Sequence, residues 1–157
     1  MTAVSLRPTE DRDFEAIFEL ESDVVGADMI ALLPRMPGDL AGFQEHWQRL
    51  RADATVVRRT IEVDGAFGGY VVSFLLDGER QVGYWIAREL WGRGIATEAL
   101  RLFLSELTER PLWGRVARAN RASRRVLEHA GFGMIATTRV LSSRLGVQID
   151  ELVLRLD

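Results

Sequence analysis

A single layer of mixed, mostly antiparallel sheet with helices packed on it, an α/β (α+β) domain, is the fold class this sequence predicts. Three observations predict it. First, three β-branched and aromatic runs are joined by two Asp-Gly pairs, the signature of an antiparallel meander. Second, the apolar period switches to helical right after Trp91. Third, the rest of the chain alternates strand, helix, strand, strand, which leaves about seven strands in the order β-α-α-β-β-β-α-β-α-β-β.

The elements follow in order. Ala3 to Thr9 reads as a short strand. Glu10 to Ser22 puts Phe14, Ile17, Phe18 and Glu21 on one helical face. Met29 to Gly38 is apolar but holds Pro34, Pro37 and Gly38, so it reads as a loop or broken helix. Asp39 to Asp53 is a helix with Leu40, Phe43, Trp47 and Leu50 as its stripe. Thr55 to Val63, Ala66 to Leu76 and Arg80 to Ala87 are the meander. Ile95, Ala96, Ala99, Leu100, Phe103 and Leu107 share a face of the next helix. Leu112 to Arg118 is a strand, and Asn120 to Phe132 a short helix with Asn120 as N-cap and Gly131 at its C-terminal end. Met134 to Leu141 and Val147 to Leu156 are the last strands, around a turn near Gly146. No repeat, linker or low-complexity tract appears, so residues 1–157 read as one domain.

Composition excludes several function classes. The net charge of −3 argues against a broad nucleic-acid footprint, which needs clustered positive charge. All 20 basic residues are arginine, a fork well suited to phosphate. There is no cysteine, hence no disulfide, thiolate metal site or cysteine nucleophile, and no metal site is expected. The start is polar and acidic, unlike a signal peptide, and no apolar run nears the ~20 residues of a membrane helix. The expectation is a cytoplasmic protein with no membrane and no nucleic-acid partner.

The stretch Glu89 to Ala99, ELWGRGIATEA, carries the chemistry. A strand that feeds a glycine turn into a helix leaves the first helical N–H groups pointing outward, with the helix dipole behind them. Gly92, Gly94 and Ala96 keep every second residue small, and Arg93 places a charge beside the loop. A phosphate-gripping loop ending in Gly-Lys-Ser/Thr is absent, and Thr97 breaks the G-x-G-x-x-G dinucleotide pattern. Taken alone, the stretch is either an anion site or only a tight strand-to-helix turn.

Two segments together resemble the GNAT superfamily of N-acetyltransferases. Val82 to Leu100 is similar to its acetyl-CoA loop, and Asn120 to Phe132 to its second segment, in the RimJ/RimL-like form of enzymes that acetylate ribosomal-protein N-termini. The resemblance covers essentially the whole chain. It implies the GNAT fold, with the sheet splayed between the fourth and fifth strands. It implies that backbone N–H groups of Gly92, Arg93, Gly94, Ile95, Ala96 and Thr97 hold the pyrophosphate of CoA. The strand end at Ile86, Ala87 and Arg88 would pair with the pantetheine arm, and an N–H near Ile86 would stabilise the oxyanion. Trp91 stands where the family's loop has Gln or Arg, although W-G-R/K-G is common in that branch. Asn120 is implied to bond the pantetheine as well as cap its helix. Many relatives carry a tyrosine acid seven residues after that asparagine; here the position is Leu127. Ser123 is the substitute proton donor, or else an ordinary first-turn residue bonded locally. Arg121, Arg124 and Arg125 crowd this helix; either one of them, with Arg125 the candidate for cofactor binding, meets the 3′-phosphate, or the three are only a solvated face.

The resemblance thus implies transfer of acetyl from acetyl-CoA to a primary amine, a protein N-terminus or a small molecule, by direct attack in a ternary complex. The alternative is a non-catalytic acyl-CoA-binding or sensing module of the same fold. A nucleotide-binding protein outside the family is a third reading. No base stands out: Glu19, Glu21, Asp23, His46 and His129 are read as surface residues. The acceptor wall is expected from Val24 to Met36 and from strand Ala66 to Leu76, with the apolar part of the first segment a lid or a core and homodimer contact.

Overall fold

In the computed structural model, which describes residues 2–30 and 37–157, the meander is built as its turn chemistry demands. Asp64 and Gly65 adopt φ 51° and 83°, and Asp77 and Gly78 adopt 51° and 80°. Two successive positive φ values make the two-residue turns whose twist matches the strands they join. These turns connect β2 (Val57–Val63), β3 (Ala66–Leu76) and β4 (Glu79–Ile86). With β1 (Val4–Pro8), β5 (Leu112–Ala117), β6 (Gly133–Ser142) and β7 (Val147–Leu156) they form one seven-stranded sheet, ordered β1-β2-β3-β4-β5-β7-β6. All neighbours are antiparallel except β4 and β5, which pair in parallel only at Gln81 and Trp113. Beyond that pair the two strands part, so the sheet is splayed between its fourth and fifth strands.

The helices cover both faces. α4 (Ile95–Glu106) buries Ile95, Ala99, Leu100 and Phe103 against Ile61, Val71, Val82 and Leu112. α5 (Arg121–His129) joins that core through Leu127, which sits on Gly114; a Cβ at Gly114 would come within 2.8 Å of the leucine. On the opposite face, α1 (Phe14–Glu21) and α3 (Leu40–Ala52) pack Phe14 edge to face on Phe43 and Trp47, with Phe18 and Trp47 each tilted against Phe43 and ring centroids 4.9–6.0 Å apart. α1 is tied to the sheet by Asp13, just before it, which takes two bonds from Arg7 of β1 and one from Thr60 of β2. Among the described residues no helix is long and apolar enough to cross a membrane.

A further helix, α2 (Val24–Ile30), covers a stretch for which no element was expected and reaches the first two residues of the expected loop or broken helix, of which Leu32, Leu33, Pro34 and Met36 lie outside the described residues. One expectation is corrected. Leu40, placed on the buried stripe of α3, is exposed because it opens the helix before the first turn reaches the aromatic cluster.

Candidate functional site

Strand alternation sorts β4 onto two faces. Val82, Tyr84 and Ile86 turn toward α4 and α5 and join their core. Trp85 turns the other way and packs on Leu20 of α1 and Ala27 of α2. The splay therefore opens a passage between the faces. A cavity of about 570 Å³ occupies it. On one side it is lined by Tyr84, Ile86, Asn120 and Ser123, on the other by Gly26, Tyr70, Val72 and Trp85.

At one mouth lies the glycine turn. Gly92 and Gly94 both have φ 75°, a left-handed conformation that an ordinary residue adopts only at a cost of roughly 1–2 kcal/mol. Gly94 is the N-cap of α4 and brings no side chain to it; the first bond into the helix runs from Glu98 N to Gly94 O. The N–H groups of Ile95, Ala96 and Thr97 precede that first bond, so the helix itself does not use them. Gly92, Gly94, Ile95, Ala96 and Thr97 all line the cavity. The arrangement can hold an anion through main-chain donors and the helix dipole.

The end of β4 supplies a second set of donors. Ala87 N–H bonds Gly68 O at 2.9 Å, so residues 85 and 87 face β3. Ile86 then directs its own N–H and C=O away from β3, into the opening. The carbonyl is already engaged: Trp91 Nε1 donates to it at 2.9 Å. Trp91, the residue that departs from the loop pattern, thus fastens the turn to the strand end.

Across the opening, Asn120 Oδ1 accepts the Ser123 N–H at 3.2 Å and caps α5. That bond leaves its NH₂ as a donor, and Asn120 lines the cavity. Ser123 lies half-buried against Tyr84, whose phenol oxygen is 2.8 Å from Ser123 Oγ and 3.3 Å from the Ser123 carbonyl. Burial pushes the Tyr84 phenol up to about 12.

The sequence-predicted residues divide accordingly. Ile86, Gly92, Gly94, Ile95, Ala96, Thr97, Asn120, Ser123 and Arg125 meet at the cavity. Three others stand outside its lining. Ala87 is buried under its bond to β3. Arg88 pairs with Asp23 at 3.4 Å, and Arg93 reaches back to Thr2 Oγ1 at 3.2 Å. Arg124 pairs with Glu128. Gly26, Tyr70, Val72 and Phe74 bring α2 and β3 to the cavity, the two segments expected to form the acceptor wall. Glu19 and His129 are exposed. Glu21 is not a surface residue as expected: it is 6% exposed, because the last turn of α1 lies on β3, and it accepts a bond from Tyr70 OH at 3.1 Å. Among the described residues no group of His, Cys, Asp or Glu is arranged to hold a metal ion. Sequence reasoning missed Tyr84 altogether. The available signal was the period of two, which sets residue 84 on the same face as Ile86.

Comparison with known proteins agrees with this architecture. Residues 4–133 match the family model described as the acetyltransferase (GNAT) domain. A protein of Bacillus subtilis (strain 168) named "Putative ribosomal N-acetyltransferase YdaF" is 34% identical over 93 residues, 55% of this chain and 51% of that protein. The chain thus matches about half the length of that curated relative. The solved structure of Mycobacterium smegmatis RimJ in complex with CoA-disulfide is 25% identical, over 98% of this chain and 81% of that one, with a TM-score of 0.80. Spermidine N-acetyltransferase from Vibrio cholerae, in complex with CoA and spermine, has the same TM-score over 98% and 94% of the two chains. At 18% identity that likeness is one of fold.

Proposed function

The chain belongs to the GNAT acetyltransferase family, and on that premise we propose that it transfers an acetyl group from acetyl-CoA to a primary amine by direct attack in a ternary complex. The observation that carries this reading is the passage through the splayed sheet. It joins a main-chain anion site on the α4 and α5 side to an apolar groove on the α1 and α2 side. A donor held at the first and an acceptor held at the second would meet at Ile86.

In this reading the N–H groups from Gly92 to Thr97 take the diphosphate of CoA, and Arg125, on the cavity wall, faces the 3′-phosphate. The Asn120 NH₂ bonds a pantetheine carbonyl. The Ile86 N–H points at the thioester oxygen and stabilises its developing charge. Ser123 gives the leaving thiolate its proton. A thiol of pKa about 8.5 is already a fair leaving group, so a weak acid suffices. The amine must arrive neutral, its proton passing to a carboxylate or to water. The acceptor is a protein N-terminus or a small amine; the relatives favour the ribosomal N-terminus within the family. The mostly apolar groove wall, with Tyr70, Val72, Phe74 and Trp85, suits an acceptor with little charge beyond its amine.

The test has two stages. Calorimetry with acetyl-CoA should show binding at submillimolar ligand; none there rejects the reading. A panel of N-terminal peptides and small amines, assayed for release of free CoA, should give turnover above the acceptor-free rate for at least one member. Binding without such turnover would assign the chain to the non-catalytic alternative.

A further inference from the structure

Position 127, where many relatives place a tyrosine acid, holds a leucine that is 2% exposed and seated on Gly114. It has no proton to give. The fold brings a different phenol to the same region. Tyr84 comes from β4, two residues before Ile86, and lies under the first turn of α5. Both Tyr84 and Ser123 line the cavity.

Ser123 is held at two points. Asn120 Oδ1 fixes its N–H, which sets where the first turn of α5 begins. The Tyr84 phenol oxygen lies 2.8 Å from Ser123 Oγ, a pair in which either oxygen can donate, and the phenol also donates to the serine carbonyl at the longer 3.3 Å. A serine hydroxyl has one proton and two lone pairs, and it rotates freely unless a neighbour orients it. A phenol that donates to Oγ occupies one lone pair and leaves the serine proton to point elsewhere. The elsewhere here is the cavity.

We propose that Tyr84 is a positioning residue for the proton donor of the reaction: its phenol donates to Ser123 Oγ and turns the serine proton toward the sulfur of CoA. This rests on the reading that CoA occupies the cavity. As the C–N bond forms and the C–S bond breaks, the electron pair of the latter passes to sulfur. The Ser123 proton follows it, and the proton shed by the amine nitrogen returns through water to the serine oxygen. Tyr84 itself keeps its proton throughout, because burial holds the phenol neutral well above the range in which an enzyme of this kind works.

The experiment needs no acceptor. CoA in its thiol form is bound to the wild type, and its thiolate is titrated by ultraviolet absorbance; calorimetry gives the affinity in parallel. A hydrogen bond to the charged form lowers a pKa. The bound thiol of the wild type should therefore titrate about one unit below that of Ser123→Ala. Tyr84→Phe should give the same upward shift as Ser123→Ala, with CoA affinity changed by less than about threefold, and the double variant should add nothing. A merely structural loss would lower affinity or melting temperature without moving the thiol in this matched way. Equal thiol pKa values in wild type and Tyr84→Phe overturn the proposal and leave the function standing. A further shift when Tyr84→Phe is added to Ser123→Ala also overturns it, since the phenol would then act on sulfur directly. No binding of CoA by the wild type removes the functional reading and the proposal with it.

Discussion

α4 and α5 both begin at the mouth of one cavity, and they begin differently. α5 starts on Asn120, whose side chain closes the first turn by taking the Ser123 N–H. α4 starts on Gly94, which has no side chain to close anything. Both solutions are ordinary at an N-cap, where asparagine ranks high and glycine is tolerated. At α4 the turn costs conformational freedom, since Gly92 and Gly94 both sit at φ 75°. The difference separates two uses of a helix start. A capped start commits its donors to the fold and offers a side chain to a ligand. An uncapped one offers the main chain itself.

The largest expected effect breaks the uncapped start. Gly94→Glu forces a side chain into the left-handed region, at roughly 1–2 kcal/mol, and puts a carboxylate where an anion would lie. Acetyl-CoA affinity should fall at least about a hundredfold, which is near 2.7 kcal/mol. Calorimetry reads the affinity, and a thermal melt checks that the fold persists. Undiminished binding would mean that the open N-terminus of α4 is not the donor site and that the contrast with α5 has no functional content.

The next effect tests the capped start by separating its two jobs. Asn120→Asp keeps an oxygen for the Ser123 N–H but loses the NH₂. Its melting temperature should stay within about 2 °C of the wild type, while affinity for acetyl-CoA falls about tenfold. Asn120→Ala loses both jobs. It should cost about 1 kcal/mol, a drop of roughly 2–4 °C for a domain of this size, together with a similar loss of affinity. Full affinity in both variants would reduce Asn120 to a cap.

The contrast also explains how much could be read from sequence. Helix starts, Asp-Gly turns and the apolar face of α4 are local chemistry, so both starts and the meander were legible. α2 was not: it is seven residues long with Gly26 inside it, too short for a period to declare itself. Gly26 is there for a tertiary reason, since a Cβ would press on the Trp85 ring at 3.1–3.3 Å. Glu21 misled because a carboxylate reads as surface by type, and only the docking of α1 on β3 buries it beside Tyr70. Tyr84 was hidden for the same kind of reason. Its face follows from alternation, but its partner Ser123 lies 39 residues away and meets it only because the fold brings the first turn of α5 to Tyr84. Arg93 shows the converse. Its place beside the loop is set by sequence, but its guanidinium turns to Thr2 at the far end of the chain.

The smallest expected effect sharpens the claim that the α4 start works through main chain alone. Trp91 is the one large side chain of the turn at the cavity, and it is 39% exposed. Its indole N–H holds the Ile86 carbonyl at 2.9 Å, so it bridges the strand end to the glycine turn. Trp91→Phe keeps the ring and removes the donor. The freed carbonyl opens onto the cavity, where water can take up the bond, so the cost should stay under about 1 kcal/mol. Melting temperature should fall by no more than about 4 °C, and acetyl-CoA affinity should change by less than about threefold. The N–H groups of Ile95 to Thr97 are positioned by the two left-handed glycines and by the helix behind them, neither of which Trp91 touches through that bond. A loss of affinity approaching that of Gly94→Glu would show that the tether at Ile86 sets the geometry of the turn, and that the glycines alone do not.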